Sequence, residues 1–174
     1  MSYLPYSWKQ KFRTSTMGLK ILTLVITLTI TLISFNPVAW AVDYSKQTIP
    51  YSDFSYQDLR GDVFRSSNLR NSDFSHSNLA GARLYGAKLD GANFEGANLS
   101  FTTLGSATLK GANLRNAILE EAFAPNAVFD DVIIDGADFT DALLPRGVND
   151  KLCEIATGTN PVTGNDTRDT LFCF

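Results

Sequence analysis

The sequence predicts an all-β fold in which short coils stack into a solenoid. Two observations carry that expectation. A large apolar residue recurs every five residues through most of the chain, as in GANFEGANLS (residues 91–100), and a small residue recurs two positions before it. A period of five is out of phase with the helical period of about 3.6 and the strand period of about 2, so neither element alone can carry the pattern.

The first 41 residues stand apart from this repeat. Lys9, Lys11, Arg13 and Lys20 form a positive flank without an acid, the uncharged run Ile21–Phe35 follows, and Pro37 precedes the small-x-small triplet Ala39-Trp40-Ala41. Positive, apolar and small-residue regions in that order predict a secretory signal peptide, residues 1–41, cleaved after Ala41. The alternative is an uncleaved membrane anchor, for which 15 apolar residues fall short of the ~20 that cross a bilayer as a helix. Cysteine is absent near the cleavage site and no Arg-Arg pair precedes the run, which favours the general secretory route.

Cleavage changes the charge. The 174 residues carry 15 Lys and Arg against 18 Asp and Glu; without the four leader bases the balance is 11 to 18, a net of −7. Such a surface repels nucleic acid and anionic membranes, so neither is expected as a partner. A chain of this size suits one domain, expected to be a monomer.

Residues 42–51, with Tyr44, Ile49 and Tyr51, read as a cap on the first coil, and residues 52–146 as the repeat. Its centre positions are Phe54, Leu59, Phe64, Leu69, Phe74, Leu79, Leu84, Leu89, Phe94, Leu99, Leu104, Leu109, Leu114, Leu119, Ala124, Phe129, Ile134, Phe139 and Leu144. Two residues before each centre stand Ser52, Gln57, Asp62, Ser67, Ser72 and Ser77, then alanine from Ala82 to Ala142 except at Thr102 and Val132. Both offsets are expected to point inward. The other three positions are mostly polar or glycine, and Gly61, Gly81, Gly86, Gly91, Gly96, Gly111 and Gly136 share one offset, where a turn recurs. A unit with two inward side chains and one turn is one side of a coil. It cannot bury its own Leu or Phe, so coils must stack. Before four successive centres the polar position turns apolar (Ile118, Phe123, Val128, Ile133), and Ala124-Pro125 lies in that stretch, so a local bulge is expected there.

The motif A-[DN]-[LF]-x-x, matched outright at Ala92-Asn93-Phe94, Ala97-Asn98-Leu99, Ala112-Asn113-Leu114 and Ala137-Asp138-Phe139, resembles the pentapeptide-repeat family over residues 52–146. The resemblance implies a right-handed quadrilateral β-helix of nearly five coils, one coil per twenty residues. Phe54, Phe74 and Phe94, continued by Leu114 and Ile134, stand twenty apart, as four five-residue sides demand.

Pro145 ends the repeat, and the tail, residues 147–174, holds both cysteines, Cys153 and Cys173. Two cysteines in an exported chain read as one disulfide, and C-x-x-C and His-rich spacings are absent. NPVTG (Asn160–Gly164) and DTR (Asp166–Arg168), bracketed by the cysteines, make the tail similar to that of exported pentapeptide-repeat proteins of cyanobacteria and chloroplast thylakoid lumens. This resemblance implies a thylakoid lumen, with periplasm as the alternative. Because an open coil end exposes unpaired backbone and apolar side chains, residues 148–156 and 167–173 are expected as short helices covering it, with Asn165 or Asp166 capping the second.

The residues point away from catalysis. His76, the only histidine, sits between Ser75 and Ser77, but adjacent residues on a coil diverge and no third group is set to orient the imidazole. Glu120-Glu121 and Asp130-Asp131 suggest a cation site, yet calcium needs oxygens converging on one point, and outward residues on different sides diverge. Neither a metal, a cofactor nor a catalytic residue is expected. The reading that remains is a non-enzymatic structural or protein-interaction module of an exported compartment. Two alternatives stay open. Some pentapeptide-repeat proteins are acidic rods that mimic DNA and occupy gyrase, which the charge fits and the signal does not. The cysteine pair could instead be a redox switch that loosens the tail.

A docking face is expected where Val63, Phe123 and Leu143 share one outward offset, with Tyr85 and Pro125 nearby. The tail, beginning beside Leu143, is expected to cover part of it. Residues 52–91 have five bases and five acids, whereas residues 92–146 have three and eight. An acidic rim around Phe123 therefore suggests a basic protein partner.

Overall fold

The computed structural model describes residues 41–174. The expected signal peptide lies, but for Ala41, outside the described residues. Within them, the polar residue before each centre pairs with its counterpart twenty positions on. Asp43, Val63, Arg83, Thr103, Phe123 and Leu143 form one column of parallel bridges, and three further columns start at Thr48, Asp53 and Asp58. Four columns at twenty-residue spacing give each coil four sides. Each side is one bridged residue between turns.

The motif explains both side and corner. Along a side, the Asp or Asn before the centre accepts the amide of the residue after it, as in Asp53–Ser55 (2.9 Å), Asn98–Ser100 (3.0 Å) and Asp138–Thr140 (2.9 Å). Only a short acceptor side chain closes this local turn, so the family pattern asks for Asp or Asn. At each corner, the residue two after the centre is left-handed, with φ from 51° to 73° between Lys46 and Asp141. Glycine takes that conformation without Cβ strain, and Asn or Asp tolerates it. Between coils, the centre amide donates onward, as from Leu99 to the Ile118 carbonyl at 2.7 Å.

Side chains from both inward offsets fill the interior. Phe54, Phe74 and Phe94 stack nearly parallel, with centroids 4.9 and 5.0 Å apart. Leu99, Leu104 and Leu114 are fully buried, as are Ala92, Ala97 and Ala112. Ser or Thr can replace alanine because its hydroxyl donates to the carbonyl three residues back: Ser67 to Phe64 (2.6 Å), Ser77 to Phe74 (2.7 Å), Thr102 to Leu99 (2.7 Å). On the first coil this offset opens to solvent at Gln57, which is exposed.

Two expectations are corrected. Residues 42–51 are not a cap but two sides of the first coil: Asp43 bridges Val63, Thr48 bridges Asn68, and Tyr44 stacks on Phe64 at 4.8 Å. Tyr44 and Ile49 take centre positions, while Tyr51 is a corner residue and exposed. No bulge forms at Ala124-Pro125, where Thr103↔Phe123 and Thr108↔Val128 keep register. The amide after a centre belongs to the side-chain turn and not to the coil-to-coil ladder. Proline there forfeits no ladder bond, and the Pro125 carbonyl still accepts the Ser106 amide at 2.9 Å.

After the last coil come α1 (Val148–Ile155) and α2 (Thr167–Thr170), whose N-cap Asp166 accepts the Arg168 amide. Leu152, Ala156 and Leu171 bury themselves against the core. Cys153 and Cys173 are joined in a disulfide with Cα atoms 5.5 Å apart.

Candidate docking face and the locked C-terminal end

The column Asp43–Leu143 defines one face of the rod. On it Phe123 bridges Leu143, so those two side chains are neighbours, whereas Val63 is separated from Phe123 by Arg83 and Thr103. Tyr85 packs over Gly105: a Cβ built there would meet the ring at 3.1 Å and Pro125 Cγ at 3.5 Å. Tyr85 and Phe123 thus share a shallow groove with Arg65, Arg83 and Thr103. Val63 is half-buried and does not line the groove.

The tail does not cover this face. Tyr85 is 51% exposed, Phe123 48% and Leu143 63%. Having left Leu144, the chain turns across the coil end: Leu152 and Ile155 of α1 lie beside Phe129 and Val132, on the next side. Beginning next to Leu143 fixed only the tail's starting point; the last centres of the other three sides, Phe129, Ile134 and Phe139, are buried at the end the tail crosses. The charge expectation changes as well. The charged residues lining the groove are Arg65 and Arg83, so the groove itself has a basic rather than an acidic rim.

Asn160 holds the tail to the rod, and sequence reasoning missed its role. Its side chain is buried and donates to the carbonyls of Gly136 (2.9 Å), Asn116 (3.1 Å) and Ala117 (3.3 Å) while accepting the Val162 and Thr163 amides. The signal was present in NPVTG, since Asn before Pro commonly closes a turn with its own side chain. Around it, the Thr157 carbonyl accepts the Gly136 amide (2.7 Å), and Thr170 Oγ1 accepts the Phe139 amide (3.1 Å). Gly158 is required here, because a Cβ would come within 2.9 Å of the Gly136 nitrogen.

The remaining polar candidates are placed by the same geometry. The His76 ring stacks on Tyr56 (4.9 Å) and lies over Gly96, while Ser77 points inward to the Phe74 carbonyl. The structure therefore does not bring Ser77 and His76 together. Asp131 pairs loosely with Lys110 at 3.9 Å. Among the described residues, no group of three His, Cys, Asp or Glu is placed to hold a metal ion.

The sequence pattern of pentapeptide repeats matches residues 52–84, 77–116 and 107–144, in 8 copies. This chain belongs to the pentapeptide-repeat family. It is similar to the thylakoid lumenal protein TL20.3, chloroplastic, of Arabidopsis thaliana, with 55% identity over 40 residues. That match covers 23% of this chain and only 14% of the relative, so the chain spans a small part of the relative's length. The crystal structure of a pentapeptide repeat protein from the Arabidopsis thaliana thylakoid lumen superimposes with a TM-score of 0.72 at 40% identity, covering 74% of this chain and 90% of that one. QnrB1, a plasmid-mediated fluoroquinolone resistance protein, shares the fold, with a TM-score of 0.56 at 23% identity over 58% of this chain and 49% of its own.

Proposed function

We propose that this pentapeptide-repeat protein is a non-enzymatic interaction module of the thylakoid lumen. In this reading it is exported by a signal peptide cleaved after Ala41 and shaped as a right-handed four-sided rod. The Arabidopsis relatives support the compartment, and the disulfide suits an oxidising one, which a periplasm would also provide.

One observation carries the interaction reading. The tail closes the coil end and leaves the Tyr85–Phe123 groove open beside Arg65 and Arg83. A partner that buries the two rings and offers a carboxylate to the arginines fits this groove, since aromatic and arginine side chains dominate interface energies. The test uses immobilised protein in extracts of the exported compartment. Phe123→Ser and Arg83→Glu should each lose the captured partner while changing stability by less than about 0.5 kcal/mol, as expected of exposed positions. Equal capture by all three proteins would overturn the groove as the site. Stoichiometric inhibition of gyrase supercoiling by the protein would favour a DNA mimic instead.

A further inference from the structure

Asp62 breaks the rule of its own offset. The inward position two before a centre is filled elsewhere by Ser, Thr, Ala or Val, apart from solvent-facing Gln47 and Gln57, yet Asp62 is a carboxyl group only 5% exposed. Serine at this offset donates its hydroxyl to the carbonyl three residues back, which a carboxylate cannot do. Asp62 Oδ1 instead accepts the backbone N–H of Val42 at 2.7 Å. Among the described residues no salt bridge includes it. Burial pushes its carboxyl up, the Val42 bond opposes that, and the charge of Asp58 adds to it. A buried carboxylate held by one neutral amide is unfavourable.

Val42 is also where the coils begin. Its carbonyl accepts the Val63 amide at 2.9 Å, and the first bridge, Asp43↔Val63, follows directly. The peptide bond just before it follows Ala39-Trp40-Ala41. We infer that Asp62 is the acceptor built for the mature N-terminus: cleavage between Ala41 and Val42 turns the nitrogen it already holds into an α-ammonium, and processing completes an ion pair that closes the first coil.

This inference rests on the cleaved-signal reading above. The step is a hydrolysis in which water adds across the Ala41–Val42 amide. Ala41 leaves as a carboxylate, and the proton released goes to the Val42 nitrogen, which becomes –NH3+. An ordinary α-amino group titrates near 7.7–8.0, and an adjacent carboxylate holds it charged at neutral pH. The geometry also fixes the position of the cut. With one residue more, the nitrogen beside Asp62 stays a neutral amide; with one fewer, it is gone.

The experiment compares protein recovered after export with the full-length uncleaved chain. Intact mass and N-terminal sequence should show a start at Val42. An amine-selective acylating reagent at neutral pH should modify the native α-amine at least about tenfold more slowly than in the same protein unfolded in urea, since protected groups react only on opening. Asp62→Asn should remove that protection and lower the melting midpoint of processed protein, while leaving the uncleaved chain unchanged or more stable. Asp62→Ser, which copies Ser67 and Ser77, should behave the same way and guards against an artefact of the amide. A start at another residue would overturn the cleavage reading and this inference together. A Val42 start with a freely reactive amine, or equal loss of stability in both forms, would overturn the inference and leave processing intact.

Discussion

Asp62 and Asp138 are both buried carboxylates, one near each end of the rod, and their surroundings push them in opposite directions. Burial is the largest influence on each, and it favours the neutral acid. At Asp138, the Thr140 amide (2.9 Å), the Thr140 hydroxyl (2.6 Å) and Asn165 Nδ2 (3.0 Å) all donate to it. With Thr163 these bonds outweigh burial and hold the carboxyl below its ordinary value. Asp62 has the single Val42 amide and is held above it. Burial alone does not set the charge state; the number of donors decides. The C-terminal end adds donors from the tail, Asn165 and Thr163, to those of its own Thr140, whereas the first coil has only its own first residue.

The middle of the rod sets the scale for perturbing either end. Leu99→Ala, at a fully buried centre, should cost about 2–5 kcal/mol in chemical denaturation, because flanking coils cannot collapse into the cavity. Glu95→Ala, at an outward position, should shift the same transition by less than about 0.5 kcal/mol. Similar effects for the two would mean that inward and outward offsets are misassigned.

At the C-terminal end, Asn160→Ala leaves the Asn116 and Gly136 carbonyls without a donor, while the Ala117 carbonyl keeps the Asp138 amide, and should cost about 2–6 kcal/mol, at about 1–3 for each buried group left unpaired. Cys153→Ser should cost about 3 kcal/mol, the constraint expected of a disulfide closing a loop this long. Limited proteolysis should then cut within residues 155–170 while the coils stay resistant. Cleavage in the first coils at the same rate would show that the two ends do not open independently.

The smallest effect is the most discriminating, and it is read from melting midpoints between about pH 7 and about pH 3. The Asp138 carboxyl titrates lower folded than unfolded, so its contribution is full above about pH 4 and is lost as pH falls through the folded value. For Asp62 in the uncleaved chain the sign reverses. Its folded value is raised, so a penalty present at neutral pH is relieved as pH falls through that value. The charge that acts on it is that of Asp58, which itself pairs with Arg60 at 2.6 Å. Asp138→Asn should flatten the acid fall in stability, and Asp62→Asn should remove the gain on mild acidification. Identical profiles for the two variants would refute the contrast.

The repeating fold was legible because an inward offset tolerates only apolar or small side chains, and that restriction repeats every five residues. Its start was harder to see. Tyr44 and Ile49 continue the period, but Val42 and Gln47 at the paired offset do not resemble alanine, so the first two sides looked like a separate cap. Pro125 misled for a different reason: a chain read as letters does not reveal which amides belong to the ladder. The tail's path was hidden because it depends on where the last centres stand at the coil end, a three-dimensional property. The polarity of the groove was hidden likewise, since Arg65 and Arg83 lie 58 and 40 residues before Phe123 and reach it only by stacking.

The constant step of twenty between bridged residues has a consequence for growth and length. Every coil pairs only with the coil before and after it, so nothing in the repeat itself counts coils or ends the series. The end is set by the tail, which must find its place on the last coils: Asn160 must meet Asn116, Ala117 and Gly136 at one corner. Duplicating a whole coil, for example residues 84–103, returns the same side to the same place and should leave the tail seated. Duplicating a single five-residue unit upstream turns the later coils by one side but carries Asn116, Ala117, Gly136 and Asn160 along together, whereas the same duplication between Ala117 and Gly136 presents the tail with the wrong carbonyls. Such a chain can lengthen by fives ahead of the tail's landing site, but within it only by twenties.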